Sequence, residues 1–235
     1  MKYIYVLNGL SFSYDKGEAV FSGMNMKIPY EGVTILTGKN GAGKTTLCRI
    51  LTGLAKGYHG SAAFFDKELN SVGQNYILNK IIYIKQDLTG NIIGLTANED
   101  LKVWQNRFVE TDSEQKENRR KSALRWLQAG QLFDKPVWEL SYGQRRKAML
   151  SSLPLFMDKY WIIDEPSANL DAAGIELLFR LIKKKTTGKC GALILTHRPE
   201  HFKELIRTDT GKVAGLNPER YFAIKEHKIV VRKDF

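Results

Sequence analysis

Long apolar runs are missing from this sequence. Nothing in it approaches the ~18 consecutive apolar residues that a membrane-spanning helix needs, so no span of its own is expected. Cysteine is scarce: Cys48 and Cys190 are the 2 in 235 residues, and they form no metal-ligand spacing. Such usage suits a reducing cytosol. The apolar residues 1–7 reach Asn8-Gly9 too soon for a signal peptide and read as a first strand. Internal repeats, low-complexity tracts and sustained heptads are all lacking. Acidic residues are outnumbered, 25 against 36 basic, for a net charge of +11. The excess is scattered, with clusters at Arg119-Arg120-Lys121, Arg145-Arg146-Lys147 and Lys183-Lys184-Lys185. It reads first as a lysine-rich solvated face, then as attraction to an anionic membrane surface, and last as nucleic-acid binding. No nucleic-acid partner is expected. What is present, 43% hydrophobic and 26% charged, is ordinary globular composition. It is enough to bury one domain's core, with room for a subdomain.

The most informative stretch is Gly38-Lys39-Asn40-Gly41-Ala42-Gly43-Lys44-Thr45, followed by Thr46, which fits G-x-x-x-x-G-K-[ST] without a mismatch. Val33-Thr34-Ile35-Leu36-Thr37 before it is β-branched and apolar, a buried strand. Leu47, Ile50, Leu51 and Leu54 after it fall on one helical face. Strand, glycine loop and helix suit phosphate binding: backbone N–H groups turn inward and the helix adds its positive end. Lys44 then reaches the β- and γ-phosphates and the Thr45 hydroxyl holds Mg²⁺. The chain is expected to bind a nucleoside triphosphate.

Around this loop the pattern predicts a layered α/β protein. Leu10-Ser11-Phe12-Ser13-Tyr14 and Met24-Asn25-Met26-Lys27-Ile28 alternate as strands of an antiparallel sheet, with Tyr14 placed to stack on a base. Further strands are expected at 60–65 and 81–84, the latter leading to Gln86. Helices follow at 101–108 and 114–129, the second with Ser113 as N-cap and Gly130 as stop. Tyr160-Trp161-Ile162-Ile163 resumes a buried strand that ends in Asp164-Glu165. Asp164 is placed to hold Mg²⁺ and Glu165 to orient or deprotonate the attacking water. A helix marked by Ile175, Leu178, Phe179 and Ile182 begins near Asp171. The strand Ala192-Leu193-Ile194-Leu195-Thr196 then presents His197 at its tip, and Pro199 opens the next helical turn. Closing strands are expected at 221–224 and 229–231.

Leu140-Ser141-Tyr142-Gly143-Gln144 resembles the signature of ATP-binding-cassette (ABC) ATPases, usually L-S-G-G-Q. The resemblance covers nearly the whole chain in order: Tyr14 matches the A-loop, residues 38–46 the Walker A loop and Gln86 the Q-loop. Residues 160–165 match Walker B, Ser167-Ala168-Asn169-Leu170-Asp171 the D-loop, and His197 the switch histidine. Tyr142 departs from the usual glycine. The segment from Gln86 through Gly90, Ile92, Ile93, Gly94 and Leu95 to Leu101 is similar to that of energy-coupling-factor ATPases, importers of cobalt, nickel and vitamins. The resemblance implies a P-loop NTPase fold of the ABC type with an antiparallel β subdomain and an inserted α-helical subdomain. Core and β subdomain would span 1–86 and 156–235, and the helical part 87–155. It implies ATP and Mg²⁺ as cofactors, with Thr45, Gln86 and Asp164 at the metal and Glu165, His197, Gln86 and Lys44 as catalytic residues. Tyr14 and residues 38–46 would hold the nucleotide. Ser141, Gly143 and Gln144 would contact ATP held on a second cassette. Separate transmembrane subunits and a peripheral place on the cytoplasmic membrane face follow. The alternatives are a soluble ABC ATPase acting on a macromolecule, and a regulatory subunit with a degenerate site.

Overall fold

A computed structural model of the chain describes residues 2–15, 17–86, 92–108, 113–126, 134–188, 190–202 and 221–231. The expected stop at Gly130 and residues 87–91 after Gln86 lie outside them. Two sheets form the frame. The first is antiparallel: β1 (Tyr3–Ser13) lies between β2 (Ala19–Pro29) and β4 (His59–Phe64), and β5 (Lys67–Glu68) closes the edge. The second is built on β3 (Val33–Thr37), with β8 (Ala192–Thr196), β7 (Tyr160–Asp164) and β6 (Ile81–Ile84) on one side in parallel pairing. On the other side β9 (Tyr221–Lys225) is parallel to β3, and β10 (Lys228–Val231) turns back antiparallel.

Period-two burial explains the layering. Leu36, Ile162, Leu193 and Leu195 join a cluster with the antiparallel sheet and helix α1 (Lys44–Leu51). Val33, Ile35, Trp161, Ile163 and Ile194 face the other way. They pack with α5 (Tyr142–Leu150) and α6 (Ala172–Thr186). Because both faces are covered, the parallel strands read as unbroken apolar runs. A short helix, α2 (Gln74–Leu78), precedes β6. Two more, α3 (Ala97–Phe108) and α4 (Ser113–Trp126), lie between β6 and α5. Leu101 and Ala123 anchor them to the second cluster.

Three local expectations are corrected. The strands expected at 1–7 and 10–14 are one strand, interrupted by a register shift between Leu7 and Leu10. Gly9, at φ 59°, takes the shift, and its N–H finds Asn25 Oδ1 at 2.8 Å. Leu54 does not extend the face of α1. The helix stops at Leu51, Gly53 turns left-handed at φ 71°, and Leu54 is exposed. The basic clusters are not simply solvated, because Arg146 and Lys185 are buried. Lys185 Nζ donates to the carbonyl of Met157 at 2.7 Å and meets Cys190 Sγ at 2.9 Å.

Candidate nucleotide site

The glycine loop runs from the end of β3 into α1. Gly41 and Gly43 have φ of 81° and 94°, the left-handed region that a side chain avoids. At Gly43 a Cβ would also lie 2.6 Å from Val20 Cγ1, so the antiparallel sheet itself demands glycine there. Lys44 Nζ folds back over the loop, donating to the carbonyls of Gly38 at 2.8 Å and Lys39 at 3.2 Å.

The carboxylates of the β7 end meet this loop. Thr45 Oγ1 donates to Asp164 Oδ2 at 2.6 Å. Asp164 Oδ1 is buried and has no hydrogen-bond partner among the described residues. Burial pushes the Asp164 carboxyl above the usual aspartate range, against the lowering effect of the Thr45 hydroxyl. Glu165 Oε1 lies 3.2 Å from Lys44 Nζ and 2.9 Å from His197 Nδ1. The His197 backbone N–H and Thr196 Oγ1 also donate to this carboxylate, at 3.0 and 3.2 Å. Its own backbone is left-handed, φ 50°, a conformation uncommon outside glycine. The glycine loop, the carboxylates at the end of β7 and His197 therefore converge on one spot.

An orphaned buried carboxylate oxygen beside a threonine hydroxyl fits a hard cation, which takes few protein ligands and completes its shell with phosphate and water. Tyr14 lies at the loop's edge, its hydroxyl 3.2 Å from Thr46 Oγ1. Gln86 is brought to the end of β6 but is exposed, and no side-chain bond joins it to Lys44, Asp164 or Glu165 among the described residues.

The signature residues are elsewhere. Ser141 caps α5, with a reciprocal box in which Ser141 Oγ accepts from the Gln144 N–H and Gln144 Oε1 accepts from the Ser141 N–H. Gln144 thus spends its side chain on the cap. Tyr142 points into solvent. Gly143 packs under the D-loop, where an added Cβ would be 3.1 Å from the Asn169 carbonyl.

Four residues of this neighbourhood escaped the sequence reading. Thr196 touches Glu165, and His201 Nδ1 lies 3.1 Å from Ser167 Oγ of the D-loop. Lys147 pairs with Asp171 at 2.9 Å. Arg146 binds backbone carbonyls of Asp164 and Glu165. Desolvation lowers its pKa to about 10, so it remains charged at neutral pH. A signal for Arg146 existed: Met149 and Leu150, one turn on, put it on the buried face of α5.

Residues 21–168 match the family model described as ABC transporter. The cytochrome c biogenesis ATP-binding export protein CcmA of Hahella chejuensis is 30% identical over 83% of this chain and 90% of its own length. The energy-coupling factor transporter ATP-binding protein EcfA of Carboxydothermus hydrogenoformans is 27% identical over 81% of this chain and 70% of its own. In fold the chain resembles the ATP-binding cassette MJ0796, solved as a dimer in a post-hydrolysis state with ADP and Pi. That match has a TM-score of 0.76 and 21% identity, covering 96% of both chains. The chain belongs to the ABC transporter family, and it is an ATPase of that class.

Proposed function

We propose that this chain is the ATP-hydrolysing subunit of a membrane transporter, working as one of two cassettes that enclose ATP between them. The observation that carries the chemistry is the convergence of Lys44, Asp164, Glu165 and His197 on the mouth of the glycine loop. With ATP bound, Lys44 exchanges the loop carbonyls for β- and γ-phosphate oxygens, and the loop N–H groups hold the phosphates. Mg²⁺ would be held by Thr45 and Asp164, with Gln86 reaching toward it, and supplies charge neutralisation of the phosphates. Glu165 orients the attacking water and takes up its proton. His197, on the same carboxylate, fixes where that oxygen points. Tyr14 stacks on the base.

Among the described residues Ser141 and Gly143 make no bond to the phosphate loop, Asp164 or Glu165, and Ser141 is exposed at the start of α5. A helix start that offers N–H groups and a hydroxyl to solvent suits a phosphate presented from outside, on a second cassette. The dimer in the similar cassette structure and the membrane transporters named among the relatives support this reading. The helical subdomain of this cassette spans 87–155, a reading supported by the concentration of α3, α4 and α5 there.

Coupling to the membrane partner is assigned to the segment after Gln86. Ile92 packs against the core. Ile93 and Leu95 are 57% and 63% exposed, and Trp138 is 64% exposed. The Val137 N–H donates to the Leu95 carbonyl at 2.8 Å, which brings the tryptophan's loop alongside. A peripheral attachment is required in this reading, since no helix among the described residues is long and apolar enough to cross a membrane. The test is fractionation of cells expressing the chain with its membrane subunits. Ile93→Glu and Leu95→Glu should move it to the soluble fraction with ATP binding intact. A wild-type chain that is never membrane-associated would favour an ABC ATPase acting in solution.

A further inference from the structure

Arg146 is a buried cation that the nucleotide chemistry does not use. It is 1% exposed. Its Nη1 donates to the carbonyls of Lys85 at 3.2 Å and Gln86 at 3.1 Å, just past the end of β6. Its Nη2 donates to the carbonyl of Asp164 at 3.0 Å and to that of Glu165, at the end of β7. It forms no ion pair among the described residues. Burying an unpaired guanidinium is costly, and carbonyls of two neighbouring strand ends, fixed by the sheet, are what offset it here. An apolar side chain at this place on α5 would avoid that cost but leave these carbonyls without their guanidinium donor. The cation's distinctive product is mechanical: one planar fork ties the signature helix, the Gln86 backbone and the Glu165 peptide together.

The Glu165 peptide shows why this matters. Its left-handed backbone aims the carboxylate at Lys44 and His197, and it is clamped at both ends: the N–H by the Leu195 carbonyl at 2.8 Å, the carbonyl by Arg146. Meanwhile Ser141, at the start of the same α5, is exposed, and its capping bonds are only to Gln144. We propose that Arg146 is a positioning residue that links the two ATP sites of a cassette pair: engagement of Ser141 by the second cassette's nucleotide shifts α5, and Arg146 passes the shift to Glu165 and Gln86 of this chain's own site. The link rests on the two-cassette reading above. Because a lysine ammonium cannot fork across two strand ends, charge alone does not replace it.

The experiment compares wild type, Arg146→Lys and Arg146→Gln in the full chain assembled with its transporter partners. It measures kcat, KM and Hill coefficient for ATP, with calorimetric ATP affinity and melting temperature of each chain. Arg146 does not touch the nucleotide loop, so affinity should stay within about twofold while kcat falls by about tenfold or more. The Hill coefficient should drop from above one toward one, and Arg146→Lys should melt near wild type without restoring it. Wild-type kcat and cooperativity in Arg146→Lys overturn the proposal. So does a loss of kcat matched by an equal loss of ATP affinity, or a lysine variant that fails to fold, since either makes Arg146 merely structural. A wild type that is itself non-cooperative defeats the two-cassette reading, and the link with it.

Discussion

Among the described residues, Lys44 is the one side-chain cation set within reach of both the loop carbonyls and Glu165. Lys44→Ala should therefore abolish turnover and weaken ATP binding; calorimetry with Mg²⁺ that finds equal affinity in variant and wild type would refute its role. Asp164 and Glu165 are adjacent in sequence yet differ in surroundings, one against Thr45 with an unpartnered oxygen, the other ringed by Lys44, Thr196 and His197. Substitution should separate them. Asp164→Asn should impair Mg²⁺-dependent binding, whereas Glu165→Gln should bind ATP and fail to hydrolyse it. Tyr14→Ala should cost about 1–3 kcal/mol of nucleotide affinity, the range for a base stacked on an aromatic. Unchanged affinity would leave Tyr14 as a strand-end residue bonded to Thr46. Lys44, Thr45, Asp164 and Glu165 were legible as candidates because they sit in contiguous motifs, where backbone and neighbours travel together; Thr196 was not. Nor was Arg146, although Met149 and Leu150 marked its face. Its partners are backbone carbonyls of two other strands, and carbonyls carry no sequence signature.

Helix α3 begins on a buried carboxylate. Asp100 Oδ1 accepts from the N–H groups of Ile93 at 2.6 Å and Gly94 at 3.1 Å, and Oδ2 from Trp104 Nε1 at 3.1 Å. Burial nonetheless pushes its carboxyl above the usual aspartate range. A carboxyl with a raised native pKa holds its proton more tightly folded than unfolded. Its contribution to stability is complete below the unfolded value, about 4, and is lost as pH rises through the native one. Asp100→Asn cannot ionise, so the wild-type Tm should fall relative to the variant's as pH climbs from about 4. Parallel Tm profiles would show that Asp100 is not strained by its charge. Other features at this scale were half visible. Periodicity placed the helix after the loop, but Gly53, whose left-handed turn stops it, stood in the sequence before Leu54 and was outweighed by the apolar spacing. Asn8-Gly9 read as a strand end, where the chain makes a bulge and continues. A bulge depends on a partner across the sheet, here Asn25, that local pattern cannot supply.

At the scale of the molecule, the two sheets trap α1 between them and bring β3, β7 and β8 to end at the same edge. That edge holds the phosphate loop, both carboxylates and His197. Ser141 and Gly143, at the start of α5, bond and pack to Gln144 and Asn169 instead; in the proposed reading they meet a phosphate held on a second cassette. An ATP-bound dimer is therefore the central claim. The direct measurement is sedimentation of the Glu165→Gln chain, alone and mixed with its cognate cassette, with and without ATP and Mg²⁺. The account predicts a dimer that forms with ATP, and that disperses when Ser141→Arg is added to block the signature. A Glu165→Gln chain that binds ATP yet stays monomeric in both settings would contradict it.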